Sequence, residues 1–125
     1  MLKRILVIDD DSTVRDAFDL ALEDSGYEVV LADSGETGLK QAIAQRPDMV
    51  FLDLRMPGLD GVDVLRRLND IDSTIPVYIV TAFHQEFFAR LNQAIEDGLT
   101  FELARKPLNG AQIRTIALSV LGSPP

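Results

Sequence analysis

Along the chain, short unbroken apolar runs alternate with longer stretches in which apolar residues recur at helical spacing, the pattern of a repeated strand-helix unit. Residues 5–8 are uninterruptedly apolar, as expected of a parallel strand with helices over both faces of its sheet. Beyond them Val14, Phe18, Ala21 and Leu22 mark a first helix, which Ser12 or Thr13 can cap and Gly26 stops. Residues 27–32 read as a second strand. Residues 34–45 read as a helix with Thr37, Ala42 and Ile43 turned inward, barred from continuing by Pro47. A third strand over 49–52 ends at Asp53, and Met56, Pro57 and Gly58 make the turn after it. The next helix, 61–69, offers Val64, Leu65 and Leu68 to a core. Pro76 opens a fourth strand over 77–80, ending at Thr81. The fourth helix carries Phe87, Phe88, Leu91, Ala94 and Ile95 and closes at Gly98. A fifth strand, 100–104, runs into Arg105, Lys106 and Pro107, and a last helix over 112–121 turns on Ile113, Ile116, Ala117 and Val120. Five strands alternating with five helices predict an α/β, doubly wound parallel sheet.

Composition narrows the function. A chain of 125 residues is one domain, here 1–121, with 122–125 a tail or the start of a linker. The absence of Cys excludes a disulfide framework, a thiolate metal site and a Cys nucleophile, so a reducing cytoplasmic setting is expected. No apolar run approaches the roughly 18 residues of a membrane span, and the N-terminus lacks a signal-peptide pattern. With 20 Asp and Glu against 12 Lys and Arg, a formal net charge of -8 and no basic tract, direct nucleic acid binding is disfavoured. A metal ion or a basic partner surface suits that balance better.

Candidate chemistry collects where the strands end. Asp9, Asp10 and Asp11 follow the first, Asp53 ends the third, Thr81 the fourth, and Lys106 follows the fifth. In a parallel sheet these positions share one edge, the edge where open α/β sheets hold ligands. Carboxylates gathered there repel one another unless they share a cation. An all-oxygen donor set, with His84 as the chain's one imidazole, favours a hard ion such as Mg²⁺. Thr81 adds a hydroxyl that can donate to an oxyanion, and Lys106 a mobile positive charge. This inventory suits phosphoryl transfer, with Asp53 the candidate nucleophile. Glycine-rich phosphate loops and HExxH are absent. Asp11 has two readings, a carboxylate at a helix start or a water-mediated metal contact. His84 is read as an exposed loop residue. Phe83, Phe87 and Phe88 are too close together for all three rings to point inward easily, and one exposed ring there would mark a partner surface.

The segments ILVIDDD, MVFLDLRMPGLDG, VYIVTAF and ARKPL, in this order, closely resemble the receiver domain of two-component response regulators, the CheY-like family, over essentially the whole chain. The resemblance implies a flavodoxin-like sheet of order 2-1-3-4-5 and a phosphoacceptor at Asp53. It also implies Mg²⁺ held by Asp10, Asp53, the Arg55 backbone carbonyl and Asp9, directly or through water. It gives Thr81 and Lys106 their catalytic places and makes the Lys106-Pro107 peptide cis. A histidine kinase or phosphotransfer protein would supply the phosphoryl group, and the domain would catalyse its own phosphorylation and dephosphorylation while serving mainly as a signalling switch. A downstream output protein or domain and a homodimer through the last two helices are further family expectations.

Two departures bear on the switch. Thr81 and Lys106 are further apart than is usual in the family, and the position of its switch aromatic, three residues before the lysine, is Leu103, with Phe101 two residues earlier. Thr81, Phe101, Leu103, Phe87 and Phe88 are therefore the switch or output candidates. The alternative is a constitutive interaction module that keeps the fold. A hydrolase of small phosphorylated substrates would need a second carboxylate after the nucleophile, where Arg55 stands.

Overall fold

The alternation of runs and helical stretches closes into a five-stranded, wholly parallel sheet in the order β2-β1-β3-β4-β5. The strands are β1 (Arg4–Ile8), β2 (Glu28–Ala32), β3 (Met49–Asp53), β4 (Val77–Thr81) and β5 (Glu102–Arg105). The helices are α1 (Ser12–Leu22), α2 (Gly35–Ala44), α3 (Gly61–Ile71), α4 (Phe88–Glu96) and α5 (Gly110–Leu121), with a 3-10 turn, Gln85–Phe87, leading into α4. This computed structural model describes residues 2–82 and 85–123. The readings of Phe83 and His84, and of the tail at Pro124 and Pro125, fall outside those residues.

Both faces of the sheet are covered, which is why its strands are apolar without alternation. Leu6 and Ile8 point into the cluster formed with α2, α3 and α4, while Ile5 and Val7 point into the one formed with α1 and α5. Phe51, nearly fully buried at the centre of the second cluster, packs its ring 4.8 Å from that of Phe18.

Several boundaries differ from the sequence expectation, each for a local reason. Asp11, not Ser12 or Thr13, caps α1: its carboxylate accepts the Thr13 amide at 2.9 Å. The helix ends at Leu22, well before Gly26, and Asp24 takes up a left-handed conformation (φ 57°) to turn the chain. Ile43 is 70% exposed, because the inward face of α2 is Gly35, Gly38, Leu39 and Ala42, an i, i+3, i+4, i+7 set rich in residues that hydropathy does not flag. A β-carbon on Gly38 would lie 2.4 Å from Ile8 Cδ1, so at this spacing of α2 and β1 any larger residue would require the Ile8 side chain to shift. Ile95 is likewise outward, with Leu91 and Ala94 inward. α3 continues to Ile71, β5 is displaced towards Lys106, and α5 begins at Gly110, behind a reciprocal cap between Asn109 and Gln112.

Candidate functional site

The parallel register sets the carboxyl ends of the strands side by side. Ile8 pairs with Leu52, Asp53 with Val80 and Thr81 with Arg105, so Asp9, Asp53, Thr81 and Lys106 all emerge at one rim. Asp9, Asp53 and Thr81 are the buried polar residues of the described chain, an arrangement that folding alone does not favour. One carboxylate oxygen each of Asp9, Asp10 and Asp53 lie within 4.8 Å of one another, with Asp10 on the solvent side. Lys106 Nζ reaches in from the other side, 2.9 Å from Asp9 Oδ2 and 3.1 Å from Asp53 Oδ1.

This geometry perturbs both partners. Burial, and then the negative charge of Asp9, push the Asp53 carboxyl up from the ordinary 3.8 to about 6, against the opposing pull of Lys106. Burial works against the Lys106 ammonium, but the hydrogen bond to Asp9 and the charge of Asp53 outweigh it, and its pKa stands above the ordinary 10.5. The rim is thus short of positive charge. Its donor set is all oxygen, its carboxylates are close enough to share one ion, and an ammonium already serves two of them, so the residues present fit a hard divalent cation.

The loops are held in place by contacts that hydropathy does not reveal. The Asp11 amide donates to Asp9 Oδ1 at 3.0 Å, and Arg15 Nη1 to the Asp9 carbonyl at 2.7 Å, bracing the turn after β1. Glu36, in the first turn of α2, accepts the Leu59 amide at 3.2 Å and so steadies the loop after β3; backbone hydrogen bonds hold its carboxyl below the ordinary 4.5. The Lys106 amide donates to the Thr81 carbonyl at 2.8 Å, and the Lys106-Pro107 bond is cis. Arg15 and Glu36 went unread in the sequence; the one signal available for Arg15 was its place in the first turns of the helix that the acidic run begins.

The remaining predicted residues divide. The Arg55 guanidinium is exposed and pairs with Glu86 at 3.1 Å, and its backbone follows β3 into the loop. Phe87 is buried, whereas Phe88 is 39% exposed, so of these two rings one turns in and one out. Phe101 is half-buried against the α2-α3-α4 cluster, and Leu103, on edge strand β5, is 45% exposed. Asp11 spends its carboxylate on the helix cap.

Comparison with known proteins is consistent along the whole chain. The family model described as a response regulator receiver domain matches residues 5–117. The chain is 34% identical over 118 residues to the alkaline phosphatase synthesis transcriptional regulatory protein PhoP of Bacillus subtilis, covering 93% of this chain and 49% of that protein. It is 44% identical over 78 residues to the transcriptional regulatory protein AfsQ1 of Streptomyces coelicolor, covering 62% of this chain and 34% of that one. The chain thus spans half or less of the length of these curated relatives. Among solved structures, a response regulator receiver domain protein from Clostridium thermocellum superposes with a TM-score of 0.79 at 32% identity, over 96% of this chain and 94% of that one. The chemotaxis protein CheY4 of Vibrio cholerae, at 24% identity, shares the fold with a TM-score of 0.83, over 97% of this chain and 100% of that one.

Proposed function

The chain belongs to the response regulator receiver domains of two-component signal transduction, and from that premise we propose how its own residues divide the work. It is a phosphoacceptor domain whose Asp9, Asp10 and Asp53 form the acidic cluster typical of the family's phosphorylation and metal site. In the proposed reaction an Asp53 carboxylate oxygen attacks the phosphorus of a phosphohistidine. The Oδ–P bond forms, the P–N bond breaks with its electron pair going to the imidazole, and that nitrogen regains a proton from solvent. In hydrolysis a water oxygen attacks the same phosphorus, the Oδ–P bond breaks with its electron pair returning to the Asp53 carboxylate, and inorganic phosphate leaves as the water gives up a proton to solvent.

Asp9, Asp10, Asp53 and the Arg55 carbonyl are the residues assigned to Mg²⁺, which when bound supplies neutralisation of the charge on the transferring group. Lys106 holds the Asp53 and Asp9 carboxylates in place and follows the charge as it passes to the phosphoryl oxygens, and Thr81 is assigned a hydrogen bond to one of those oxygens. The observation that carries this reading is the convergence of the Lys106 ammonium on Asp9 and Asp53 beside a third carboxylate at the same rim.

The donor is proposed to be a histidine kinase or phosphotransfer protein, and the recipient of the signal an output protein or domain, with a homodimer as one form of response. Residues 1–121 are proposed as the receiver unit and 122–125 as a tail or linker start, in a cytoplasmic setting. Among the described residues no helix is long and apolar enough to cross a membrane.

Incubation with acetyl phosphate and Mg²⁺, read by intact-protein mass spectrometry, should add one phosphoryl group, which Asp53→Asn abolishes. Undiminished labelling of that variant overturns the nucleophile assignment. The exposed Leu103 at the usual aromatic position favours a second reading, constitutive docking through this fold. That reading requires partner affinity to be the same before and after phosphorylation.

A further inference from the structure

Helix α4 begins without a capping side chain, since Phe87 at its N-cap position makes no such hydrogen bond. Phe87 and Leu91 hold that end by burial on one side, and a charged fork holds it on the other. Arg90 Nη1 meets Asp60 Oδ2 at 2.5 Å and Nη2 meets Asp63 Oδ1 at 2.8 Å. These are the two carboxylates of the cap on α3: Asp60 Oδ1 accepts the Asp63 amide at 3.0 Å, and Asp63 Oδ2 accepts the Asp60 amide at 3.1 Å. Each carboxylate gives one oxygen to the cap and one to the guanidinium, so three side chains close a single ring that a planar, forked cation fits.

The ring abuts the phosphoacceptor. Gly61, next to Asp60, donates its amide to the Leu54 carbonyl at 2.8 Å, and a β-carbon on it would lie 2.4 Å from the Asp53 carbonyl oxygen. Any shift of the first turn of α3 therefore moves the backbone at 53–54. Arg55 and Glu86 form a parallel strut between the same loop and the turn leading into α4. A comparable exposed pair, Arg66 and Asp97 at 2.8 Å, joins α3 to the far end of α4.

We propose that Arg90 is a positioning residue of the phosphoacceptor site: through the Asp60–Asp63 cap it ties the start of α4 to the backbone of Asp53, so that phosphoryl occupancy and the seating of α4 report on one another. The inference rests on the receiver reading above and extends it to regulation. It gives α4 a route to the site that needs no aromatic at position 103. Because binding linkage is reciprocal, loosening the ring weakens the site's hold on a phosphoryl analogue as well as the response of α4.

Hydrogen exchange over residues 85–96, with and without Mg²⁺ and beryllofluoride as the phosphoryl analogue, tests this. Arg90→Ala should cut the beryllofluoride-induced change in exchange about threefold or more and raise the half-saturating beryllofluoride concentration by a similar factor. Arg66→Ala should leave both as in the wild type. Asp63→Asn keeps an oxygen for the Asp60 amide but loses the charge facing Arg90. It should repeat the Arg90→Ala effect, and the double variant should be no worse than either single one. An Arg90→Ala protein that responds as the wild type does, an Arg66→Ala protein that matches it in impairment, or fully additive singles would overturn the inference alone. A wild-type protein that takes up no beryllofluoride would overturn the receiver reading and this inference together.

Discussion

Gly61 meets the end of β3 so closely that a β-carbon on it would lie 2.4 Å from the Asp53 carbonyl oxygen and 2.7 Å from Leu54 Cα. Both atoms are main chain, so no rotamer change relieves the contact. Alanine is ordinarily the better helix former by about 1 kcal/mol, but forcing an atom into packed backbone costs about 1–3 kcal/mol, and the second effect wins. Gly61→Ala should lower unfolding free energy in urea by about 1–2 kcal/mol and slow acetyl phosphate labelling. Gly110→Ala is the control: its nearest neighbour is the Arg114 side-chain tip at 3.1 Å, which can move, and its stability should be unchanged or slightly higher.

Lys106 is the cation that two buried carboxylates depend on in the metal-free protein. Lys106→Met keeps most of the side-chain volume but leaves Asp9 and Asp53 buried without a counter-charge. Removing one partner of such a group costs about 3 kcal/mol, and part of that loss should return on adding Mg²⁺, which substitutes for the ammonium. Melting the variant in chelator and in excess Mg²⁺ measures both effects; equal shifts in the two conditions would argue against a shared carboxylate site.

The rim of the sheet was legible in the sequence because each apolar run stops abruptly at a polar residue, and parallel strands bring those stops together. The order of the strands was not in the periodicity; it came from the family resemblance. Asp11 allowed two readings in the sequence, a helix-start carboxylate or a water-mediated metal contact, and the Thr13 amide lying against its carboxylate favours the first. Gly35 and Gly38 carry no hydropathic signal, although they set how closely α2 approaches its neighbours. The pairing of Arg90 with Asp60 and Asp63 joins positions far apart in the chain through an exposed surface, where neither spacing nor polarity singles out a partner.

Asp10 and Asp11 should give crossed results. Asp10 is exposed and contributes an oxygen to the acidic cluster, so Asp10→Asn should weaken Mg²⁺ binding about tenfold or more while changing stability in chelator by less than about 0.5 kcal/mol. Asp11→Ala removes the α1 cap and should cost about 1 kcal/mol while leaving Mg²⁺ affinity nearly intact. Calorimetric Mg²⁺ titration paired with urea unfolding reads both quantities; loss of metal affinity in the Asp11 variant would restore its reading as a water-mediated metal contact.

Asp53 carries a stability penalty that depends on pH. Its carboxyl titrates near 6 in the folded protein, burial being the larger cause and the Asp9 charge the next, against an ordinary 3.8 in the unfolded chain. Between those values the folded state binds more protons than the unfolded one, so this residue's contribution to stability falls as pH rises from about 4 to about 6 and stays unfavourable above. The displacement corresponds to about 3 kcal/mol at neutral pH. Asp53→Asn removes the ionisation, so in chelator the variant should be more stable than the wild type at pH 7.5 by about that amount, and the advantage should vanish near pH 4, where the wild-type carboxyl is protonated in the fold. Excess Mg²⁺ should stabilise the wild type and close the gap at pH 7.5, because a bound cation favours the ionised carboxylate. Thermal melts at the two pH values, each with chelator and with Mg²⁺, separate these effects; a constant difference at both pH values would mean that burial of the charge is not its source.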